Sequence, residues 1–377
     1  MKIHKESTVI LMPKFKTYPL ESISTDEALD KQFELVDTMT RHFEGNELLS
    51  QGDLGVVPGL NQPRYTKKVE EVLADFFGTE AAMLVRGSGT AAIRMALHSV
   101  LKSGDTLLVH QAPIYPTTKV SIDSMGIKTV AIDYNNIQSQ SIPANISGIL
   151  IQYTRQQPED SYSMEDVISY LKNKYPKVPI ITDDNYAVMK VHKIGVELGA
   201  TLSCFSTFKL LGPEGIGCIV GDKKKIDLLR QENYSGGSQV QGHEALDVLR
   251  GLTYAPVALA NQARVVNELV ERLNSNEIPE IESAYVANAQ SKVLLVEFKR
   301  PIAQEILKYT NSLGAAPNPV GAESKYEIVP MFYRVSGTFK EYDSDLLKTT
   351  IRINPYRCGA KTIIRILKDS IGKAVNE

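Results

Sequence analysis

The chain has 377 residues, 43% of them hydrophobic and 23% charged, with a formal net charge of −2. This ordinary globular composition allows one large or two linked domains with a substantial core. So slight a charge gives no broad attraction for nucleic acid or an anionic membrane surface, which leaves a small molecule as the expected partner. Cys204, Cys218 and Cys358 are scattered and odd in number, a pattern that fits reduced thiols in a cytoplasmic setting better than a disulfide framework. Neither they nor the six histidines have ligand spacing, so no metal is expected.

At the start, the apolar run 9–12 ends at Pro13 and Lys14, too short for a signal core or a membrane span. A helical pattern opens at Thr25, runs through Phe33, Leu35, Val36 and Met39, and stops near Gly45. Residues 52–63, punctuated by glycine and proline, predict a long loop of the kind that is often functional. Helical spacing returns from Arg64 through Val69, Val72, Leu73, Phe76 and Phe77 to a cap at Gly78. Short apolar runs at 81–85, 106–109, 129–132, 149–152 and 178–182 then read as buried strands, with helices between most of them. That alternation predicts an α/β fold, a mostly parallel sheet wound with helices, whose binding residues gather at the C-terminal strand ends.

Residues 201–208 and 217–221 read as two further strands. A helical pattern follows through Ala245, Leu246, Val248 and Leu249 and resumes from Val257 towards Leu273, linking two domains. Beyond it, strands near 292–298, 328–335 and 350–353 and helices near 302–313 and 362–371 predict a smaller α+β unit. The expected division is 1–45 as an N-terminal segment packing with the small domain, 46–255 as the large domain, and 256–377 as the linker helix and small domain.

Three segments carry chemistry. Lys209 stands between the apolar run ending at Phe208 and a turn built from Gly212, Pro213, Gly215 and Gly217. An ammonium held near apolar groups loses solvation, its pKa falls, and the free amine attacks aldehydes such as that of pyridoxal phosphate; the plainer reading is a lysine snorkelling at a loop mouth. Ser88, Gly89 and Thr90 follow a strand and open a helix, which suits either a phosphate or ordinary helix capping. Asp183 and Asp184 end an apolar strand with Tyr186 close behind. A carboxylate there can keep a pyridinium nitrogen protonated and Tyr186 can hydrogen-bond the ring hydroxyl, or the pair can form an Asx turn with a solvated acid.

In this order, phosphate loop, acidic strand end and lysine strand end, the chain resembles the fold type I pyridoxal-phosphate enzymes, the aspartate aminotransferase superfamily, from about Arg64 onwards. The resemblance implies a seven-stranded-type sheet in the large domain and pyridoxal 5′-phosphate as cofactor. It makes Lys209 the internal aldimine, Asp183 rather than Asp184 the partner of the ring nitrogen, and Ser88, Gly89, Thr90 and Ser206 the phosphate site. Tyr115 falls where the family places an aromatic that stacks on the ring, unless it is ordinary helix-start packing. Gly237 and Ser238, in Tyr-Ser-Gly-Gly-Ser, resemble a segment that reaches the phosphate from a neighbouring subunit, which implies a homodimer with shared active sites; the same residues can equally form a turn between helices. Arg352 resembles the arginine that binds the substrate α-carboxylate, with a surface arginine on an edge strand as the alternative. Arg155 is a further candidate for substrate contact.

The lysine segment Phe205-Ser-Thr-Phe-Lys-Leu-Leu-Gly-Pro looks like that of the selenocysteine synthase group, while the context of Tyr115 and of residues 152–158 looks like the methionine γ-lyase and cystathionine branch. The Asn-Pro and phosphate-binding arginine common in aminotransferases are replaced here by Arg155-Gln-Gln-Pro and Gly217. The expected reaction is therefore β- or γ-elimination on a small amino acid or amino-sugar-like substrate. A class V-like aminotransferase, or a protein that holds the cofactor for sensing without turnover, are the alternatives. An oxidoreductase is disfavoured, because Gly87-Ser-Gly-Thr lacks the full dinucleotide fingerprint. Substrate choice is expected to lie in loops 52–63 and 322–334, where Lys325, Tyr326 and Arg334 meet either substrate or solvent.

Overall fold

The computed structural model describes residues 16–154, 157–287, 292–321, 323–335 and 343–376; Arg155 lies outside the described residues. Seven strands form the larger sheet: β1 (Ala81–Arg86), β2 (Thr106–His110), β3 (Lys128–Ile132), β4 (Gly148–Gln152), β5 (Ile180–Asp183), β6 (Leu202–Ser206) and β7 (Ile216–Gly221), in the order β1-β7-β6-β5-β4-β2-β3. The run from β6 to β3 is parallel, and β7 is antiparallel to both of its neighbours.

Apart from β3, an edge strand that is largely exposed up to Ile132, these strands are mostly apolar because both sheet faces are covered. Leu150, Ile181 and Leu202 pack with Ala92, Ile93, Ala96 and Leu97 of α3 (Ser88–Val100). On the opposite face Ile149, Ile151, Ile180 and Phe205 join α2 (Arg64–Phe76), α5 (Met164–Lys174) and the first half of α7 (Gly242–Asn274). Gln152, Asp183 and Cys204 stand in register on adjacent strands, so β4, β5 and β6 deliver their ends to one level. Helix α1 (Thr25–His42) starts with a reciprocal capping box between Ser24 and Glu27. Its Leu35 and Met39 enter the core of the larger sheet. Ahead of α1, Thr17 donates to the carbonyl of Val286 (2.7 Å) in the smaller unit.

Helix α7 runs unbroken for 33 residues, although the apolar pattern pauses at Pro256. Pro256 has no amide to bond the carbonyl one turn back, which normally interrupts a helix. Here packing on both sides overrides that cost: Leu249, Leu252 and Leu259 belong to the core of the larger sheet, Val266, Leu269 and Leu273 to that of the smaller one. The smaller sheet is antiparallel, β8 (Ile281–Val286), β9 (Leu294–Phe298), β10 (Met331–Arg334) and β11 (Thr350–Asn354), in the order β10-β11-β9-β8. It packs with α8 (Ala303–Thr310) and the C-terminal helix Ala360–Asn376. The sequence pattern misses β8, whose apolar run is interrupted by Glu282 and Ser283 at a register shift against β9. Among the described residues no helix is long and apolar enough to cross a membrane, and no group of His, Cys, Asp or Glu side chains could hold a metal ion.

Candidate active site

The three sequence segments meet at one cavity of about 230 Å3 at the ends of β4, β5 and β6. Its first wall is the start of α3. Gly87 (φ +100°) and Ser88 (φ +57°) turn the chain out of β1, and both of their amides donate to the carbonyl of Gly215 (2.7 and 2.9 Å). A Cβ on Gly217 would lie 2.2 Å from the carbonyl oxygen of Ser88, so only glycine lets the loop after Lys209 approach so closely. Gly89 and Thr90, one residue further on, have amides for which the helix supplies no acceptor. Together with Ser88, Thr117 and the buried Ser206 they form a neutral, donor-rich end of the cavity beside a positive helix terminus.

Asn185, a lining residue that the sequence reading passed over, ties this end to the acid. Its amide N–H and Nδ2 donate to Asp183 Oδ1 (3.1 and 2.7 Å), while its Oδ1 accepts from the Ser206 amide (3.0 Å). Gly89 makes room for it, since a Cβ there would lie 2.7 Å from both terminal atoms of Asn185. Asp183 is buried and lines the cavity. Burial raises its pKa, and Asn185 and Lys209 oppose that rise. Asp184 faces away: its Oδ2 accepts from Thr182 Oγ1 (2.8 Å) and the Gly195 amide (3.4 Å), and burial pushes its pKa up to about 7. The geometry therefore separates the two adjacent carboxyls into one that meets the cavity and one held beneath it.

Lys209 sits one turn beyond the strand to which the apolar pattern assigned its neighbours. β6 ends at Ser206 and the 3-10 turn Thr207–Leu210 carries the lysine. Thr207 closes that turn, its hydroxyl donating to the Ile216 carbonyl (3.0 Å) and its carbonyl accepting from the Gly212 amide (3.0 Å). Helix α7 supports the turn at Gly251, where a Cβ would come within 2.5 Å of the Gly212 nitrogen. The Lys209 ammonium lies 3.8 Å from the centroid of the Tyr186 ring. Burial lowers its pKa to about 8, with Asp183 and then Glu323 pulling the other way and Lys190 adding to the fall. An amine so placed is available as a base or nucleophile near neutral pH.

Tyr115, at the start of α4 (Pro116–Ser124), and Tyr186 also line the cavity. Burial holds the Tyr186 phenol well above its usual pKa, which keeps it a hydrogen-bond donor. Gln152 and Thr154 border the cavity, and Phe208, Val320 and Gly321 complete its wall. A Cβ at Gly321 would lie 2.2 Å from Phe208 Cε1. The segment carrying Val320 and Gly321 also meets the loop after Lys209, because Tyr326 hydrogen-bonds Glu214 and Lys325 Nζ lies 3.8 Å from it.

Not every candidate joins this cavity. Gly237 and Ser238 are on the short turn Gly236–Ser238, outside the lining of the cavity in their own chain. Arg352 lies on β11, its guanidinium 4.6 Å from the Tyr333 ring centroid on the adjoining strand, and is not among the lining residues. Arg334 is exposed at the end of β10.

Residues 61–304 match the model of the Cys/Met metabolism PLP-dependent enzymes, and residues 267–367 that of the YhfS-like C-terminal domain. The chain is 54% identical to the Escherichia coli K12 protein named Uncharacterized protein YhfS, over 94% of this chain and 99% of that one. The crystal structure of the pyridoxal-5′-phosphate-dependent protein YhfS from Escherichia coli superposes with a TM-score of 0.91 at 53% identity, covering 95% of this chain and 99% of that chain. A putative cystathionine β-lyase involved in aluminium resistance from Listeria monocytogenes has the same fold, with a TM-score of 0.70 at 18% identity over 93% and 95% of the two chains.

Proposed function

Because the chain belongs to the Cys/Met metabolism PLP-dependent enzyme family, we propose that it is a lyase that eliminates a β- or γ-substituent from a small amino substrate with an uncharged side chain. Pyridoxal 5′-phosphate is its cofactor, and the cavity suits that group. The donor-rich end formed by Ser88, Gly89, Thr90 and Ser206 matches a phosphate, and Gly89 leaves room for the Asn185 side chain that ties this end to Asp183. Asp183 offers a buried carboxyl to the ring nitrogen, Lys209 an amine to the aldehyde, and Tyr115 a face for stacking. When bound, the pyridinium supplies an electron sink for the substrate Cα.

Within this reading Lys209 takes the Cα proton and returns a proton to the departing group, which its lowered pKa permits. Asp183 would hold the ring nitrogen protonated, and the Tyr186 phenol would be the hydrogen-bond donor for the ring hydroxyl. Arg352, which stacks on Tyr333 outside the cavity lining, would be the residue to meet the substrate α-carboxylate. In a homodimer Gly237 and Ser238 would serve the phosphate in the neighbouring subunit.

The observation that carries elimination over transamination is the wall of Phe208, Val320 and Gly321. Dicarboxylic amino acceptors need a cation for their second carboxylate, whereas this wall is uncharged. The test is to incubate the loaded protein with a panel of thioether and hydroxy amino acids, with dicarboxylic amino acids and amino sugar phosphates as charged controls. Release of a 2-oxoacid with ammonia is expected. Conversion of the cofactor to pyridoxamine phosphate would make it an aminotransferase, and no turnover across the panel would favour a sensing role.

A further inference from the structure

Glu323 is fully buried and adopts φ +102°, a conformation that side-chain-bearing residues rarely take. Its Oε2 lies 2.5 Å from Lys190 Nζ, itself buried, and its Oε1 accepts from Gln262 Nε2 on α7 (3.0 Å). Gln262 Oε1 in turn accepts from Arg357 Nη1 (3.5 Å). Lys190 belongs to the connection between β5 and β6, where its ammonium lies 5.5 Å from the centroid of the Tyr186 ring, the same ring that Lys209 approaches at 3.8 Å. Two charges taken out of water need each other closely, so this pair exists only while the segment bearing Glu323 is seated. Glu327 helps to seat it, accepting from the amides of Val320 (2.6 Å), Gly321 (2.7 Å) and Ser324 (2.7 Å). Val320 and Gly321 are also cavity wall.

We propose that Glu323 is a positioning residue for Lys209: seated beside Lys190, its carboxylate balances the second buried ammonium at the Tyr186 ring and places a negative charge behind the reactive amine. The charged groups around Lys209 come from three elements. Asp183 at the end of β5 and Glu323 favour the protonated amine, while Lys190 on the connection to β6 opposes it. Glu323 itself is felt by Lys190, Arg357, Tyr186, Tyr333 and Tyr356. Neutralising Glu323 while Lys190 keeps its charge therefore loosens the proton on Lys209. The inference rests on Lys209 being the reactive amine of the proposed function, but its test needs no cofactor.

The test follows the rate at which Lys209 is acetylated by acetic anhydride in the cofactor-free, full-length protein, read peptide by peptide by mass spectrometry across about pH 6 to 10. The wild-type midpoint is expected at about 8. Glu323→Gln, which keeps the volume and a partner for Gln262, should lower it by on the order of one unit, and Glu323→Asp should return it towards wild type. An unchanged or raised midpoint in folded Glu323→Gln overturns the proposal. If that variant does not fold, Lys190→Gln, which leaves the Glu323 carboxylate without the opposing ammonium, should raise the midpoint, and an unchanged or lowered midpoint would refute the idea. Failure of the cofactor reading is separable, because it would appear as the absence of a visible absorption band in loaded wild type while this titration stands.

Discussion

Replacing Gly89 by alanine should reach the acid through Asn185. The new Cβ would lie 2.7 Å from the Nδ2 and Oδ1 of Asn185, and the side chain must leave. Its departure breaks the Nδ2 bond to Asp183 (2.7 Å) and strips the Ser206 amide of its acceptor (3.0 Å). One hydrogen bond to a carboxyl and one between neutral groups, both part-buried, together amount to about 2–4 kcal/mol. Urea denaturation of the cofactor-free protein measures that loss as a lower midpoint at constant slope. Asn185→Ala removes the same two bonds and should cost about the same. The double variant, in which the added methyl meets no side chain, should be no less stable than Asn185→Ala alone, a strongly non-additive cycle. Additive losses, or Gly89→Ala at wild-type stability, would refute the argument. The same variant should bind pyridoxal phosphate more weakly, since it disturbs both ends of the proposed site.

Two other consequences follow from the residues beneath the cavity. Burial pushes the Asp184 carboxyl from its ordinary pKa of 3.8 up to about 7 in the folded state, so the folded state prefers the neutral acid. Stability is lost as pH rises from about 4 through 7 and the loss is complete above that, so Asp184→Asn should raise stability at about pH 8 and change it little near pH 4, as followed by urea midpoints. Gly251→Ala should push α7 off the lysine turn, because the Cβ would meet backbone at 2.5 Å rather than a yielding side chain. A loss of about 1–3 kcal/mol and a slower reaction of Lys209 with pyridoxal phosphate are expected, measured by denaturation and by the growth of the visible absorption band.

The larger sheet was legible because strands buried on both faces must be continuously apolar, and 81–85, 107–109 and 149–151 are. Lys209 and Asp183 were legible because each follows such a strand, even though the lysine turned out to ride a 3-10 turn. Pro256 misled because its local cost is outweighed by two cores that no window of sequence contains. β8 was hidden by Glu282 and Ser283 at its bulge. Asn185 stood in plain view beside Asp183, but its role depends on the missing side chain of Gly89, far away in the chain and close in space. Val320, Gly321 and Glu323 reach the site from the smaller unit, and nothing in their own segment announces the lysine, the phenyl ring or the glutamine that they meet.

The central claim is that Lys209 is the amine that holds pyridoxal phosphate. Borohydride reduction of the loaded wild-type protein, followed by peptide mass spectrometry, tests it most directly. A pyridoxyl phosphate group fixed on Lys209, and lost in Lys209→Ala, is the predicted result; fixation on Lys190 or another lysine, or none at all in a protein that binds the cofactor, would contradict it.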